Sequence, residues 1–151
     1  MDKKNIVIVD DSEFEAQLSM MVLQGAFKSL NIVHLKDGRE LVDYLNCEKN
    51  FQQRKLSDNN SIKLILLDIN MPRMSGLEAL SVIRGNKSFS GIPIAMLSSS
   101  ETPADVLNSY KLGANSYIKK AVDFIEFRET MSQTAQYWLN INHSVFQLSC
   151  Y

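Results

Sequence analysis

Three carboxylates follow two short apolar runs of the sequence. Residues 6–9 are followed directly by Asp10 and Asp11, and residues 64–67 are followed by Asp68. Each acid alone is ordinary, since Asp10 or Asp11 could cap a helix and Asp68 could lie in a loop. Open α/β sheets, however, bind ligands beyond the carboxyl ends of their strands, where the strand order reverses. If the two runs are neighbouring parallel strands, the three acids converge in one crevice.

Such a cluster of acids is unstable without a cation. Like charges a few ångströms apart raise one another's pKa and destabilise the fold. Mg²⁺ relieves this repulsion because it accepts about six oxygens, usually only a few of them from protein, and it keeps positions for water or phosphate. The sequence therefore predicts a Mg²⁺ site with room for a phosphate, built on Asp10, Asp11 and Asp68.

The elements that must position these acids alternate between strands and helices. Apolar runs rich in β-branched residues recur at 6–9, 31–35, 64–67, 92–97 and 116–118. The segment after each run opens with a side-chain oxygen and carries an acid three residues later, a pattern typical of a helix N-cap. These pairs are Ser12 and Glu15, Asp37 and Glu40, Ser75 and Glu78, Thr102 and Asp105, and Asp123 and Glu126. The alternation predicts an α/β fold with a parallel sheet between helices.

Two further segments carry expectations of their own. Residues 47–63 are polar and rich in turn formers, which predicts a long exposed loop. From Asp123 to about Asn142 the pattern indicates one amphipathic helix. Its apolar stripe would consist of Phe124, Phe127, Met131, Ala135 and Trp138. His34 and Lys119 mark the second and fifth strands as edges of the sheet.

Composition excludes several classes of protein. The chain has 151 residues, 45% of them hydrophobic, and a net charge of -1, which suits one domain and favours neither nucleic acid nor membrane as a partner. The first residues lack a signal-peptide core, and Cys47 and Cys150 lack metal-ligand spacing, so we expect a cytoplasmic protein. We expect one domain over residues 1–142 and a short tail at 143–151, with no output domain.

Four motifs of this chain resemble those of response regulator receiver domains, the CheY-like family. They are residues 6–12 (IVIVDDS), 66–76 (LLDINMPRMSG), 92–99 (IPIAMLSS) and 113–120 (GANSYIKK). The resemblance covers nearly the whole chain. It implies a flavodoxin-like, doubly wound (βα)5 fold with a five-stranded parallel sheet in the order 2-1-3-4-5. It also implies a single-domain switch protein of a two-component phosphorelay rather than an enzyme.

The resemblance assigns roles to the acids. Asp68 would accept a phosphoryl group and form an acyl phosphate. Asp11, Asp68 and the backbone carbonyl of Asn70 would bind Mg²⁺, and Asp10 would assist through a bound water. This chemistry is sensible independently, since phosphoryl transfer depends on positioning and on neutralising charge on the equatorial oxygens.

The resemblance also assigns a lysine, a hydroxyl and an aromatic residue. Lys120 would pair with Asp68 and then with the phosphoryl oxygens, and the Ser98 hydroxyl would bond to the attached phosphate. Tyr117 would change rotamer in response. Neighbouring lysine and serine residues are rivals for the first two roles, namely Lys119, Ser99 and Ser100, although alignment from the strands favours Lys120 and Ser98.

Two departures from the family pattern stand out. Ala121 occupies the position after the lysine where the family usually has proline, which predicts a trans Lys120–Ala121 peptide. The loop before the third strand is also longer than the family's minimum. That loop and the last helix resemble stand-alone receivers that work with phytochrome-like histidine kinases. The implied partners are a sensor histidine kinase or histidine phosphotransfer protein, an unknown downstream protein, and a second copy joined through the last strand and helix.

Two other functions stay open from the sequence. An aspartyl-phosphate hydrolase on a similar fold would need a general acid two residues after the nucleophile, where this chain has Asn70. A degenerate receiver would act as an interaction module without phosphorylation, and Ala121 leaves room for that alternative.

Overall fold

A computed structural model describes residues 4–148 of the chain. Its five strands form a single parallel sheet in the order β2-β1-β3-β4-β5. This confirms the predicted flavodoxin-like architecture, with the strand order reversing between β1 and β3. The strands are β1 (Asn5–Val9), β2 (Asn31–Leu35), β3 (Ile62–Leu67), β4 (Ile94–Ser98) and β5 (Ser116–Lys119).

Five α-helices connect and follow the strands, and each begins at its predicted cap. In every case the cap side chain accepts a hydrogen bond from the backbone N–H of the acid three residues on, at 2.9 to 3.2 Å. Because the cap satisfies an N–H group that has no partner inside the helix, it fixes where each helix starts. The helices are α1 (Glu13–Ala26), α2 (Gly38–Asn46), α3 (Gly76–Arg84), α4 (Pro103–Lys111) and α5 (Phe124–Gln136).

Alternate residues of the central strands enter two apolar cores, one on each face of the sheet. Val7 and Val9 pack in the core with α2 and α3, whereas Ile6 and Ile8 pack in the core with α1 and α5. Successive side chains of a strand point to opposite faces, so a strand buried on both faces must be apolar throughout. β2 and β5 are less buried, which confirms that they are the edges. Among residues 4–148 no helix is long and apolar enough to span a bilayer.

Residues 47–63 are more ordered than a long exposed loop. Most side chains are exposed, as predicted, but two 3-10 turns occur at Lys49–Phe51 and Leu56–Ser61. Asn59 is buried, donates to the carbonyl of Leu45 at 2.9 Å and accepts from the Arg54 guanidinium at 2.8 Å. The segment therefore packs against the end of α2. A polar composition did not reveal this, because the burial of Asn59 depends on bonds to two specific partners, Leu45 and Arg54.

The last helix changes geometry near its end. The α-helical part of the last helix, α5, ends at Gln136, and the chain continues as a π-helical turn over Tyr137–Ile141. The predicted stripe holds for Phe127, Met131 and Ala135, which are buried, but Phe124 is 42% exposed and Leu139 is more buried than Trp138. A π turn inserts an extra residue per turn, and this rotates the following side chains relative to an α-helical pattern.

The described part of the C-terminal tail folds back on the domain. Residues Val145–Leu148 form a 3-10 turn, and Phe146 packs against the core on the α2–α3 side of the sheet. Cys150, one of the two cysteines considered above, lies outside the described part of the chain.

Candidate functional site

The pairing of β1 with β3 brings the three acids together. Val9 and Leu67 are partners across the two strands, and the Asp68 N–H donates to the Val9 carbonyl at 3.0 Å. Oxygens of Asp10, Asp11 and Asp68 consequently all lie within 4.8 Å of one another. The convergence predicted from the sequence is thus present at the carboxyl edge of the sheet, at the point where the strand order reverses.

The acids have different environments. Asp10 is buried, with Oδ1 accepting the Ser12 N–H at 2.9 Å, whereas Asp11 is exposed. Asp68 is partly buried, and its Oδ1 accepts the N–H of Ile69 at 2.8 Å. Burial raises the pKa of Asp68; the Lys120 ammonium opposes that rise, and the charge of Asp10 adds to it. The site therefore holds a carboxylate whose charge needs a nearby cation.

Lys120 supplies one positive charge. Its backbone N–H donates to the Ser98 carbonyl at 2.8 Å, directly after β5. The ammonium donates to Asp10 at 2.9 Å and Glu15 at 2.8 Å, and it lies 3.5 Å from an oxygen of Asp68. Burial by itself lowers the pKa of Lys120, but the bonds to Glu15 and Asp10 and the charge of Asp68 outweigh it and raise the pKa. The ammonium thus stays charged among these acids.

The rival lysine points elsewhere. Lys119 forms an exposed ion pair with Glu101 at 2.8 Å. No cis peptide occurs in the described range 4–148, so the Lys120–Ala121 bond is trans, and the Lys120 side chain nevertheless reaches the acids.

Ser98 and Tyr117 meet at one loop residue. Ser98 is buried at the end of β4, and its hydroxyl oxygen accepts the Ser100 N–H at 3.1 Å. The Tyr117 hydroxyl donates to the Ser100 carbonyl at 2.8 Å. The other candidate serines are placed differently, since Ser99 is exposed and the Ser100 hydroxyl donates to Asp105 at 2.5 Å. Ser98 and Tyr117 are thus both hydrogen-bonded to the backbone of Ser100.

Asn70 lies on the loop that joins β3 to α3, where it is exposed. The Asp37 carboxylate accepts a bond from the Arg73 guanidinium at 2.7 Å, and the Gly38 N–H donates to the Met74 carbonyl at 3.0 Å. Arg73 has a positive φ of 62°, an uncommon backbone conformation outside glycine. The start of α2 therefore holds the loop that carries Asn70.

Glu15 is the site residue that sequence reasoning missed. It was expected only as the acid of a capping pair, which it also is, since its N–H donates to Ser12 at 3.2 Å. Its carboxylate also accepts a hydrogen bond from the Lys120 ammonium at 2.8 Å. The available signal was its place in the first turn of α1, directly after Asp10 and Asp11.

The donor set fits a hard divalent cation. Carboxylate oxygens are the ligands that Mg²⁺ and Mn²⁺ prefer, and three carboxylates offer such oxygens within one small volume. Within the described residues, Asp10, Asp11 and Asp68 form a group of acids that could hold the ion.

Known proteins are similar in sequence to this chain over most of its length. The "Probable methanogenesis regulatory protein FilR2" of Methanothrix harundinacea is 28% identical over 92% of this chain and 86% of its own length. The response regulator Rcp1 of Synechocystis is 29% identical over 90% of this chain and 89% of its own length. Both relatives are covered over most of their length.

Solved structures agree with these relatives. The phosphorylated cyanobacterial phytochrome response regulator RcpA superimposes with a TM-score of 0.85 at 27% identity, over 94% of this chain and 98% of that chain. The Mn²⁺-bound form of Rcp1 gives 0.83 at 27% identity, over 93% and 98%. Residues 6–132 match the response regulator receiver domain. The chain therefore belongs to the response regulator receiver domain family of two-component signalling proteins.

Proposed function

We propose that Asp68 accepts a phosphoryl group from a phosphohistidine and that the protein signals through this modification. The observation that carries the proposal is the convergence of Asp10, Asp11, Asp68 and Lys120 at one sheet edge. An oxygen of Asp68 would form a bond to phosphorus while the bond from phosphorus to the donor's imidazole nitrogen breaks. The electron pair of the broken bond stays on that nitrogen.

Mg²⁺ is the proposed cofactor, with Asp11, Asp68 and the Asn70 backbone carbonyl as ligands and Asp10 acting through water. When bound, the ion neutralises charge that accumulates on the phosphoryl oxygens. Two observations support it, namely the cluster of oxygen donors and the existence of an Mn²⁺-bound form of the similar protein Rcp1. The Lys120 ammonium adds a further positive charge 3.5 Å from an oxygen of Asp68.

Ser98 and Tyr117 are the proposed route from modification to output. An attached phosphoryl group brings up to about two negative charges and strong acceptor oxygens. The Ser98 hydroxyl, which accepts a bond from Ser100 in this structure, would turn to donate to the phosphoryl group. Because Tyr117 is bonded to the same residue, its rotamer would change with the loop. The phosphoryl group would thereby shift the population between two conformations.

The proposed phosphoryl donor is a sensor histidine kinase or a histidine phosphotransfer protein. Several similar solved structures are phytochrome or bacteriophytochrome response regulators, which supports a kinase of the phytochrome-like class. A second copy of the chain is a further proposed partner, through the last strand and helix. Ile125, Tyr137 and Ile141 are exposed apolar residues in that region and support this contact.

Phosphorylation is tested with a small-molecule donor. The wild-type chain should incorporate up to one phosphate per chain from acetyl phosphate when Mg²⁺ is present, and Asp68→Asn should incorporate none. Beryllofluoride, a phosphoryl mimic, should shift the amide resonances near Ser98 and Tyr117. Absence of any Mg²⁺-dependent response in the wild type would refute the proposal. Release of many phosphates per chain would indicate a hydrolase instead.

Dimerisation is tested separately. Gel filtration with light scattering should give a larger mass for the wild type with beryllofluoride, and Ile125→Glu should reduce it. A monomeric mass at every concentration, with and without beryllofluoride, would refute the dimer while leaving the phosphorylation proposal intact.

A further inference from the structure

Lys120 is held by two acids other than the proposed phosphoacceptor. Its ammonium has short bonds to Glu15, at 2.8 Å, and to Asp10, at 2.9 Å. The Asp68 oxygen lies 3.5 Å away, which is beyond the usual length of a charge-assisted hydrogen bond. Two of the three ammonium protons therefore point at acids that do not receive the phosphoryl group.

The two competing acids differ in how firmly they are held. The Asp10 side chain is only 6% exposed, whereas the Glu15 side chain is 49% exposed and can be hydrated by bulk water. Releasing Glu15 to water costs little, because its carboxylate is already half-exposed and regains hydration when the ion pair breaks. Glu15 is thus the partner that Lys120 can give up.

We propose that Glu15 is a positioning residue that holds the Lys120 ammonium away from Asp68 in the unphosphorylated protein. This inference rests on the proposed function of Asp68. A phosphoryl group on Asp68 must draw Lys120 toward its oxygens, and it must do so against the bond to Glu15. The carboxylate of Glu15 also repels the incoming anion. Glu15 therefore lowers the affinity of the site for a phosphoryl group and favours the unmodified state.

A neighbouring acid provides a matched control. Glu13 is exposed in the same first turn of α1, and its carboxylate accepts a bond from Gln17 at 3.4 Å. Glu13→Gln and Glu15→Gln remove the same charge from the same helix end, so their effects on the helix dipole are similar. Only Glu15→Gln removes the charge of an acid that is bonded to Lys120.

The experiment measures the dissociation constant of beryllofluoride by NMR titration at saturating Mg²⁺. Glu15→Gln should bind beryllofluoride about threefold more tightly than the wild type, the size expected for an ion pair with one half-exposed partner. Glu13→Gln should match the wild type. The side-chain ammonium resonance of Lys120, recorded without beryllofluoride, should shift in Glu15→Gln and stay in place in Glu13→Gln. A gain in affinity does not arise from damage to the fold.

The outcomes separate the two proposals. If the wild type does not respond to beryllofluoride, the proposed function fails, and the role of Glu15 fails with it. If the wild type responds and the two glutamine variants behave alike, only the role of Glu15 is refuted. Weaker binding by Glu15→Gln than by Glu13→Gln would mean that Glu15 helps to present Lys120, the reverse of the proposal.

Discussion

Gly76 packs directly against the backbone of Asp68. A β-carbon at position 76 would overlap the Asp68 carbonyl oxygen and lie 2.9 Å from its carbonyl carbon. The Gly76 N–H also donates to the Ile69 carbonyl at 2.8 Å. The first residue of α3 thus touches the strand end that carries the candidate phosphoacceptor, and only glycine leaves room for that contact.

Gly76→Ala should therefore destabilise the protein and displace Asp68. We expect a loss of about 2–3 kcal/mol in the free energy of unfolding, since the colliding atoms are backbone and do not move aside easily. Urea unfolding measures the loss, and Mg²⁺-dependent phosphorylation from acetyl phosphate should fall with it. Gly25→Ala is the control, because nothing lies within 4 Å of its β-carbon position. That variant should be stabilised by about 0.5–1 kcal/mol, as expected for Gly→Ala in a helix. Equal effects of the two substitutions would contradict the role of Gly76.

The ion pair of Asp37 and Arg73 should make stability depend on pH. Burial of Asp37 opposes its ionisation, but the bond from Arg73 and the N–H of Glu40 outweigh burial and hold the pKa of Asp37 below its ordinary value of 3.8. A carboxyl group with a lowered pKa in the folded state stabilises the fold above its ordinary pKa, and this contribution is lost as the pH falls through the folded-state pKa.

Asp37→Asn isolates that contribution, because asparagine still caps α2 but carries no charge. The variant should be less stable than the wild type near neutral pH, and the difference should shrink as the pH falls below about 4. Urea unfolding at several pH values measures this difference. A gap that stays constant down to the lowest pH would show that the charge of Asp37 does not matter.

Parts of this structure could be predicted because their causes lie within a few residues of sequence. A helix cap depends on a side chain three residues from its N–H partner, so Ser12 and Ser75 predict the starts of α1 and α3. An acid after an apolar run indicates the end of a buried strand, and this pattern predicts that Asp10 and Asp68 lie at strand ends. These features supported the fold class and the acidic cluster directly.

Other parts depend on contacts between distant residues, and the sequence does not reveal them. The bond from Lys120 to Glu15 joins residues separated by 105 positions. Asn59 is bonded to Leu45 near the end of α2, and the carbonyl of Leu139 in the π turn accepts a bond from Lys4 at the start of the chain. Local patterns carry no information about such pairings, because many side chains of the same type would fit the same periodicity.

Asn59 should contribute to stability although it lies in a polar segment. Its amide donates to Leu45 and its oxygen accepts from Arg54, and both partners lose a bond in Asn59→Ala. Leaving buried polar groups unpaired costs about 1–3 kcal/mol each, so we expect a loss in that range. Asn60→Ala, next in sequence and exposed, should change stability by less than about 0.5 kcal/mol. Thermal or urea unfolding of both variants measures these losses. Equally small losses in the two variants would show that the bonds of Asn59 do not stabilise the fold.

The effect of Asp11→Asn on stability should change sign when Mg²⁺ is added. Without the ion, Asp11→Asn removes one of the clustered charges around Asp10 and Asp68, so its Tm should exceed that of the wild type. With Mg²⁺ at about ten times its dissociation constant, the wild type should gain roughly 1.4 kcal/mol, which corresponds to about 3–6 °C in Tm. Asp11→Asn lacks a proposed ligand and should gain much less, so the order of the two Tm values should reverse. Glu129→Gln, an exposed acid of α5, serves as the charge-matched control and should respond to Mg²⁺ as the wild type does. If Asp11→Asn gained as much from Mg²⁺ as Glu129→Gln, Asp11 would not be a ligand, and any bound ion would have to rely on the remaining acids.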